Sequence, residues 1–316
     1  MRYLVTGGAG FIGSNTVDEL VRHGHSVVVL DDLSSGKEEN LAEIRGKITF
    51  MKGSVNDLET VQKAMHQADY AIHLAARTSV PRSVKDPLET NRINVEGTLN
   101  MLVAARDNKV KRFVFAASSS AYGETPTLPK TEAMRPEPIS PYGVSKFVGE
   151  LYAQAFGRCY GLENVSLRYF NIFGPRQDPD SPYSGVLSRF ATAFLDEEQP
   201  VVFGDGEQTR DFTFVENAVQ ANLLACEASG ASGGVFNVGT GGRVSLNQTL
   251  EILRRITGKN LEAKYDSPRE GDIRDSQADI SKARQILGYR PTVEFEEGLT
   301  RTFEWYRLNH TKKAIK

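Results

Sequence analysis

The chain has 316 residues, of which 40% are hydrophobic and 25% are charged, and its formal net charge is −2. This composition is typical of a globular protein, and the nearly balanced charge argues against bulk electrostatic attraction to nucleic acid. Any phosphate group must therefore be bound by local groups.

Other classes of protein are also disfavoured by the sequence. No apolar run approaches the ~18–20 residues that a membrane-spanning helix needs. The first residues, MRYLVTGG, read as a strand and lack the pattern of a signal peptide. The two cysteines lie far apart and the five histidines are scattered, so no metal-ligand spacing is present. We expect a soluble, cytoplasmic protein that binds no metal, membrane or nucleic acid.

Short β-branched runs alternate with longer amphipathic stretches over the first two-thirds of the chain. The stretches predict helices over 11–23, 57–67, 88–108 and 140–161. The alternation predicts right-handed crossovers and a doubly wound parallel α/β sheet of the Rossmann type. The predicted strands are 3–7, 26–32, 47–53, 70–76, 112–118 and 165–174, the last including the loop that leaves it.

After residue 174 the pattern changes. The polar, proline-rich stretch GPRQDPDSPYSG is too long for a simple connector. We predict a first domain over 1–174 and a smaller α/β lobe over 175–316, interleaved with the first, that binds a substrate. The predicted elements of the lobe are helices near 185–197, 215–228, 246–257, 279–287 and 295–308, and strands near 201–203, 211–214 and 261–265.

The stretch VTGGAGFIGS joins the first predicted strand to the first helix. Gly7, Gly10 and Gly13 allow a tight turn, a close approach of the backbone to a pyrophosphate, and close packing of helix on strand. The helix N-terminus adds free N–H groups for the phosphates. Asp31 ends the second strand, where a carboxylate binds ribose hydroxyls and repels a 2′-phosphate, so NAD is favoured over NADP. The residues predicted to wrap the adenosine are Asp32, Ser34, Ser35 and Gly36.

Tyr142 and Lys146 lie four residues apart in SPYGVSKFVGE and share one face of the predicted helix. An ammonium and a nicotinamide cation near the phenol would lower the tyrosine pKa from about 10 towards neutrality and make it a general base. The spacing alone is common in helices, but the glycine loop and the serine run AASSSAYGE favour chemistry. Ser118, at the carboxyl end of the fifth strand, is placed to share a proton with Tyr142.

Further motifs carry a resemblance to a known family over nearly the whole chain. They are TGGAGFIGS, LDDLSSG, HLAA, NVEGTLN, SSSAYG, YGVSK, RYFNIFGPRQDP, the GDG and RDF of 204–212, and the REGD, AD and KA of 269–283. With these motifs the chain resembles the extended short-chain dehydrogenase/reductase enzymes that act on nucleotide sugars, in the branch of the UDP-hexose 4-epimerases.

The resemblance implies NAD as the cofactor and Tyr142, Lys146 and Ser118 as the catalytic residues. The implied cofactor contacts are Gly7, Gly10, Phe11, Ile12, Gly13, Asp31, Asp32, Ser34, Ser35, Gly36, Ser54, Val55, Leu74, Ala75, Ala76, Asn94, Tyr142, Lys146 and Tyr169. The implied substrate contacts are Ser118, Ser119, Ser120, Asn171, Val186, Val201, Phe203, Arg210, Arg269, Asp272 and Ser276.

The resemblance has one departure and one further implication. Ser54 stands where related sequences carry an aspartate that touches the adenine, although serine can still accept a hydrogen bond there. The resemblance also implies a homodimer in which the helices over 88–108 and 140–160 form a four-helix bundle with their mates.

The implied reaction is 4-epimerisation. Tyr142 accepts the proton of the sugar C4 hydroxyl, hydride moves to NAD, and it returns to the opposite face of the 4-keto sugar. A 4,6-dehydratase or a UDP-xylose synthase is disfavoured because residues 118–120 are serines where dehydratases carry a carboxylate pair. A UDP-glucuronate 4-epimerase stays open, although Arg176 followed by Asp178 is a poor receptor for a sugar carboxylate. A non-catalytic NAD(H)-binding regulator is disfavoured by the intact tyrosine, lysine and serine.

The resemblance makes residue 276 the expected determinant of the sugar. In the epimerases a tyrosine at this position restricts the pocket to plain hexoses, while a small residue admits an N-acetyl group. Ser276, together with SVPRSVKDP and RQDPDSPYSGV, predicts the interconversion of UDP-GlcNAc and UDP-GalNAc. Interconversion of UDP-Glc and UDP-Gal is expected as a second activity.

Overall fold

Seven parallel strands form the central sheet of the computed structural model, which describes residues 1–178, 185–268 and 274–309. The strands are β1 (Arg2–Thr6), β2 (Ser26–Asp31), β3 (Ile48–Lys52), β4 (Tyr70–His73), β5 (Arg112–Ser118), β6 (Asn164–Tyr169), β7 (Ile172–Phe173), β8 (Val201–Phe203), β9 (Thr209–Arg210), β10 (Thr213–Phe214), β11 (Gly234–Val238), β12 (Val244–Ser245) and β13 (Lys264–Asp266). The order in the main sheet is β11-β6-β5-β4-β1-β2-β3, which confirms the predicted doubly wound topology.

Helices cover both faces of this sheet, and more helices build the second lobe. They are α1 (Phe11–Arg22), α2 (Leu58–Met65), α3 (Val80–Lys85), α4 (Pro87–Asn91), α5 (Gly97–Asp107), α6 (Pro141–Tyr160), α7 (Val186–Asp196), α8 (Val215–Glu227), α9 (Leu246–Thr257) and α10 (Phe295–Asn309). A 3₁₀ segment, Glu38–Lys47, lies between β2 and β3.

The seventh strand of the sheet, β11, was not predicted. It pairs with β6, with Phe236 opposite Leu167, so the chain returns to the first sheet long after residue 174. The position of this strand is consistent with the prediction that the second lobe is interleaved with the first domain. The division at 174/175 stays a proposal, because the sheet uses residues from both sides of it.

Four other predicted elements differ in type or bounds from those of the structure. The single helix over 88–108 is α4, a π-helical turn at Arg92–Glu96, and α5. The helix over 279–287 is largely a π-helical turn, Ala283–Leu287. The strand over 211–214 is shortened to β10, with a separate strand β9 just before it, and the strand over 261–265 is β13, shifted to Lys264–Asp266. Short segments of this kind are decided by tertiary pairing rather than by local propensity.

Helix α6 begins and ends where the sequence predicts. The Ser140 side chain accepts a hydrogen bond from the Gly143 N–H at 3.1 Å and so caps the N-terminus. Pro141 occupies the first helical position, where its missing N–H is harmless. Gly161 ends the helix with φ +70°, a left-handed conformation that glycine adopts without steric strain. The capped helix therefore presents Tyr142 in its first turn.

The buried apolar side chains form one cluster on each face of the sheet and a third in the second lobe. The third cluster is rich in phenylalanine and includes Phe173, Phe190 and Phe214. Phe11 and Ile12, at the start of α1, pack against it. The apolar cluster of the second lobe therefore packs directly against the end of the glycine loop, where α1 begins.

Candidate active site

The glycine loop is closed by contacts that exclude side chains. Gly7 has φ +67°, and a Cβ there would lie 2.8 Å from the Ala75 nitrogen. A Cβ on Gly13 would lie 2.0 Å from the Gly7 oxygen. No residue with a side chain fits either position, so the loop turns tightly and leaves the N-terminus of α1 available to an anion.

Asp31 joins this loop to the end of β2. Its carboxylate accepts hydrogen bonds from the Ala9 N–H at 2.9 Å and from the Leu33 N–H at 2.8 Å. Burial raises the pKa of this carboxyl, and the two N–H donors oppose the shift. A Cβ on Gly36 would lie 2.9 Å from both carboxylate oxygens, so glycine leaves space beside them. The cradle fits a dinucleotide, with the lone pairs of Asp31 left for the ribose diol.

The loop after β4 is hydrogen-bonded to the end of β1, next to the glycine loop. The Leu74 N–H donates to the Thr6 carbonyl at 3.2 Å, directly after β4, which ends at His73, earlier than predicted. Asn94, in the π-helical turn, accepts from the Arg77 N–H at 2.7 Å and donates to the Ser145 hydroxyl at 2.9 Å. Asn94 therefore fastens this loop to α6, and its predicted contact with NAD stays a prediction.

Two other predicted cofactor contacts have partners within the protein. The Ser54 hydroxyl accepts from the Asn56 N–H at 3.2 Å, in the turn where Val55 is buried. The Tyr169 hydroxyl donates to the Asn222 side chain, away from α6. Both roles towards NAD remain predictions, and the geometry gives Tyr169 a structural contact as well.

The three predicted catalytic side chains meet at the carboxyl end of β5. Ser118 ends this strand, and its interaction with the Tyr142 phenol favours a lower pKa of that phenol. The Ser118 hydroxyl also donates to the Ser120 hydroxyl at 3.1 Å. One helical turn further, the Lys146 ammonium donates to the Ala116 carbonyl at 2.8 Å and lies 5.1 Å from the centre of the Phe115 ring.

Burial perturbs both titrating groups of the pair. It lowers the pKa of Lys146 to about 7 and raises the pKa of Tyr142, while the hydrogen bond with Ser118 opposes the rise. The sequence predicted a lowered tyrosine pKa from an ammonium and a nicotinamide cation together. The protein alone does not lower it, because removing the phenol from water outweighs the favourable contact.

Two residues that support the pair were missed. His73 is fully buried, with Nδ1 2.7 Å from the Thr6 hydroxyl and Nε2 3.1 Å from that of Thr98. Burial, with a smaller effect from Lys146, lowers the His73 pKa to about 3, so this ring is neutral. Ser83 accepts the Tyr142 backbone N–H at 3.1 Å and so anchors the start of α6. The HLAA motif was a signal for His73; no sequence signal indicated Ser83.

Residues predicted to bind the substrate meet in the second lobe. Asn171, whose φ is +39°, donates from its amide to the Ser276 hydroxyl at 3.0 Å and to the Asp211 carbonyl at 3.2 Å. Arg210 donates to the Arg274 carbonyl at 2.9 Å, which ties β9 to the segment that carries Ser276. The geometry therefore brings Asn171, Arg210 and Ser276 together, as the resemblance implied.

Asp211 organises this region, although the sequence indicates it only as part of the RDF motif. Its buried carboxylate accepts from the Thr240 N–H and hydroxyl, both at 2.8 Å, and from the Gly241 and Ala278 N–H groups, both at 3.0 Å. Burial raises the pKa of this carboxyl and the four donors oppose the shift. Asp211 thereby holds three segments together beneath the predicted substrate residues.

The structure describes only some of the remaining residues that are predicted to bind the substrate. Val201 and Phe203 lie in β8. The Phe203 carbonyl accepts a hydrogen bond at 2.6 Å from the side chain of Gln208, which precedes Arg210 by two residues. Val186 begins α7. Arg269 and Asp272 lie outside the described residues. Within the described ranges, no group of three His, Cys, Asp or Glu side chains could hold a metal ion.

Comparison with known proteins gives consistent matches over this chain. Residues 3–239 match the NAD dependent epimerase/dehydratase family. The UDP-glucose 4-epimerase of Mycolicibacterium smegmatis is 41% identical over 97% of this chain and 99% of its own. The structure of UDP-glucose 4-epimerase from Thermotoga maritima with UDP-glucose is 42% identical over 98% of this chain and all of its own, with a TM-score of 0.93.

A further structure is similar to the same degree. The UDP-N-acetylglucosamine 4-epimerase of Methanobrevibacter ruminantium, in complex with UDP-N-acetylmuramic acid, is 41% identical over 98% of this chain and 99% of its own, with a TM-score of 0.94. The match to the family covers most of the chain, including the glycine loop, Asp31, Ser118 and the Tyr142–Lys146 pair. The chain therefore belongs to the NAD dependent epimerase/dehydratase family, as an extended short-chain dehydrogenase/reductase of the nucleotide-sugar epimerase branch, and is an isomerase with NAD as its cofactor.

Proposed function

We propose that the protein interconverts UDP-GlcNAc and UDP-GalNAc, and UDP-Glc and UDP-Gal as a second activity. The observation that carries this proposal is the small side chain of Ser276, whose hydroxyl contacts the Asn171 amide at 3.0 Å. A serine there leaves space that a tyrosine would fill. The similarity to both a UDP-glucose and a UDP-N-acetylglucosamine 4-epimerase supports the pair of activities.

In the proposed mechanism Tyr142 accepts the proton of the sugar C4 hydroxyl. Ser118, at the end of β5, orients the same hydroxyl. Lys146 is held against β5 by the Ala116 carbonyl, from where its positive charge favours the phenolate. NAD, when bound, supplies the hydride acceptor and a second positive charge. The 4-keto sugar formed by the loss of hydride then turns over while its nucleotide stays bound. C4 regains the hydride on its opposite face, and Tyr142 returns the proton to the C4 oxygen.

A dehydratase needs a group that protonates the departing hydroxyl, and the serine run supplies none. Residues 118, 119 and 120 are all serines. The first and third are hydrogen-bonded to each other at 3.1 Å, so their hydroxyls form a short polar chain beside Tyr142. Such a chain can relay or share a proton at neutral pH, but it cannot act as a carboxylic acid. This difference favours epimerisation over elimination.

A glucuronate substrate is disfavoured by the position of Arg176. This side chain forms an ion pair with Asp18 on α1 at 2.6 Å, and the nearby Asp178 pairs with Lys37 at 3.3 Å. Arg176 is therefore committed to the nucleotide-binding side of the protein. It offers no cation for a sugar carboxylate, which supports a neutral hexose.

The products formed by the purified protein test this proposal. Without added cofactor, it should convert UDP-GlcNAc into UDP-GalNAc and UDP-Glc into UDP-Gal, because hydride leaves and returns within one turnover. NMR of the sugar products distinguishes the outcomes. A 4-keto-6-deoxy sugar would show a dehydratase instead, and turnover of UDP-glucuronate alone would show that the sugar is wrong.

We also propose that the protein is a homodimer, because an apolar face crosses α3, α4 and α6. Leu88 is 83% exposed, Val84 64% and Ile139 55%, and Val144 on α6 is also exposed. Leu88, Ile139 and Val144 line a groove of about 580 Å³, together with Pro87, Val95 and Val148, among others. An exposed apolar face of this kind favours burial against a second copy.

Introducing charge on this face should separate the protomers. We expect Leu88→Glu with Val144→Glu to sediment as a monomer at micromolar concentration, because each carboxylate would have to be desolvated at the interface. Leu308→Glu, at a leucine of α10 that is 74% exposed, is the matched control and should stay dimeric. A double variant that sediments with the wild type would disprove the assignment of this face.

A cytoplasmic location stays a prediction. Cys159 is exposed and Cys226 is buried, and both are free thiols, as proteins of reducing compartments usually have. In the described part of the chain, no helix combines the length and apolarity needed to cross a membrane.

A further inference from the structure

An epimerase must retain its cofactor more tightly than an ordinary dehydrogenase, which releases the reduced cofactor as a product. The hydride removed from the sugar must return to the same molecule, so the reduced cofactor must not leave between the two transfers. The contacts of the glycine loop and Asp31 hold one side of the dinucleotide cradle. A second feature closes the cradle from the side of the second lobe.

This feature is the segment Pro175–Asp178, here termed the strap, which follows β7. The Asn15 amide, on α1, donates to the Pro175 carbonyl at 3.3 Å. The Tyr306 hydroxyl, on α10, donates to the Gln177 carbonyl at 2.7 Å. The strap is therefore hydrogen-bonded both to α1 of the first domain and to α10 of the second lobe.

Two ion pairs attach the strap to the elements that form the cradle. Arg176 pairs with Asp18, one turn beyond the glycine loop on α1, at 2.6 Å. Asp178 pairs with Lys37 at 3.3 Å. Lys37 directly follows the predicted adenosine loop, and its N–H donates to the Ala9 carbonyl at 3.0 Å. The strap therefore bridges the phosphate-binding and adenosine-binding elements.

The first pair is the stronger of the two attachments. The side chains of Arg176 and Asp18 are 17% and 34% exposed, whereas those of Lys37 and Asp178 are 54% and 36% exposed. Exposed pairs contribute little because water and salt screen them. Arg176 also has φ +70°, a backbone conformation that a residue with a side chain keeps only when its surroundings hold it. The side chain is held here by Asp18.

We propose that the strap retains the dinucleotide between turnovers and that Arg176 is the positioning residue that keeps it closed. The inference rests on NAD being the cofactor and on the demand that epimerisation makes, and it does not depend on which sugar is bound. Opening the strap breaks the Arg176–Asp18 pair and frees the outer side of the cradle. The strap therefore acts mainly on the dissociation rate of the cofactor.

The test measures bound NAD directly, in the absence of any sugar nucleotide. Arg176→Met should dissociate NAD about tenfold faster or more, since a charge-assisted hydrogen bond is lost, and should purify with less than full occupancy. With saturating NAD added, its kcat should return to within about threefold of the wild type. Arg22→Met on the same helix, where Arg22 pairs with Glu19 at the surface, is the control and should retain NAD fully.

A charge exchange keeps the test informative if Arg176→Met is unstable. Asp18→Arg with Arg176→Asp should recover slow NAD release, whereas each single substitution should not. Wild-type release should also accelerate at high salt, and release from Arg176→Met much less. Full NAD occupancy and unchanged release in Arg176→Met would overturn the inference. So would a loss of kcat at saturating NAD with release unchanged, because Arg176 would then serve the substrate.

Discussion

Tyr142→Phe is expected to lower kcat by a factor of about 10³, because a positioned general base typically contributes 10²–10⁴ to the rate. The phenol combines an interaction with Ser118 and a place one turn from Lys146. NAD should remain bound, since the glycine loop and Asp31 form the dinucleotide cradle without the phenol oxygen. Tyr152→Phe, further along the same helix, is the matched control and should keep wild-type activity. A Tyr142→Phe variant with a large share of wild-type kcat would remove Tyr142 from the mechanism.

The pH dependence gives an independent check of the same assignment. Burial lowers the pKa of Lys146 to about 7 and raises that of Tyr142, so the two groups hold two protons below about pH 7 and one above it. With one proton the pair can exist as phenolate and ammonium, and with two it offers no base. We therefore expect kcat to fall as the pH drops through about 7 and to level off above it. Residual activity of Tyr142→Phe should lack this acidic limb.

Ser276→Tyr is expected to remove most of the activity on UDP-GlcNAc and to spare the reaction of UDP-Glc. The tyrosine ring would occupy the space that the acetamido group needs. UDP-GlcNAc would then clash with the ring, and no new contact would offset this clash. The measurement is kcat/KM for both substrates with the same enzyme preparation. An equal loss on both sugars would show that residue 276 is not a gate.

The contact between Ser276 and Asn171 requires a second variant. Replacing the serine by any residue also removes a hydrogen bond at 3.0 Å, which is worth about 0.5–1.5 kcal/mol, or roughly twofold to tenfold in affinity. Ser276→Ala removes this bond without adding volume. It should raise KM for both sugars by that factor and leave their ratio unchanged, so comparison with Ser276→Tyr separates the effect of size from that of positioning.

Much of the site was predictable because its residues lie in short, continuous motifs. The glycine loop, Asp31, Ser118 and the Tyr142–Lys146 pair each sit at the end of a buried strand or at a capped helix start. Their local sequence sets both the element and the direction of the side chain. The alternation of strands and helices then brings these ends to one edge of the sheet. For the same reason the fold class was predictable without long-range information.

Contacts between distant segments were not predictable in the same way. Asp211 reads as an ordinary acidic residue, and only the fold brings the N–H groups of residues 240, 241 and 278 to it. The sequence indicates that Arg176, followed by Asp178, is a poor receptor for a sugar carboxylate, and the fold pairs Arg176 with Asp18. In both cases the partner lies far away in the chain, and no local pattern encodes the distance.

The sequence by itself determined the parallel α/β class, the glycine loop that joins β1 to α1, and the placing of Tyr142 and Lys146 one turn apart on α6. Tertiary structure decided that the strand Gly234–Val238 completes the sheet beside β6, and that the predicted helix over 88–108 is interrupted by a π-helical turn. It also decided that Ser276 lies against Asn171. Each of these depends on pairing between segments distant in the chain, where packing and hydrogen bonding to a neighbour outweigh the weak preferences of a few residues.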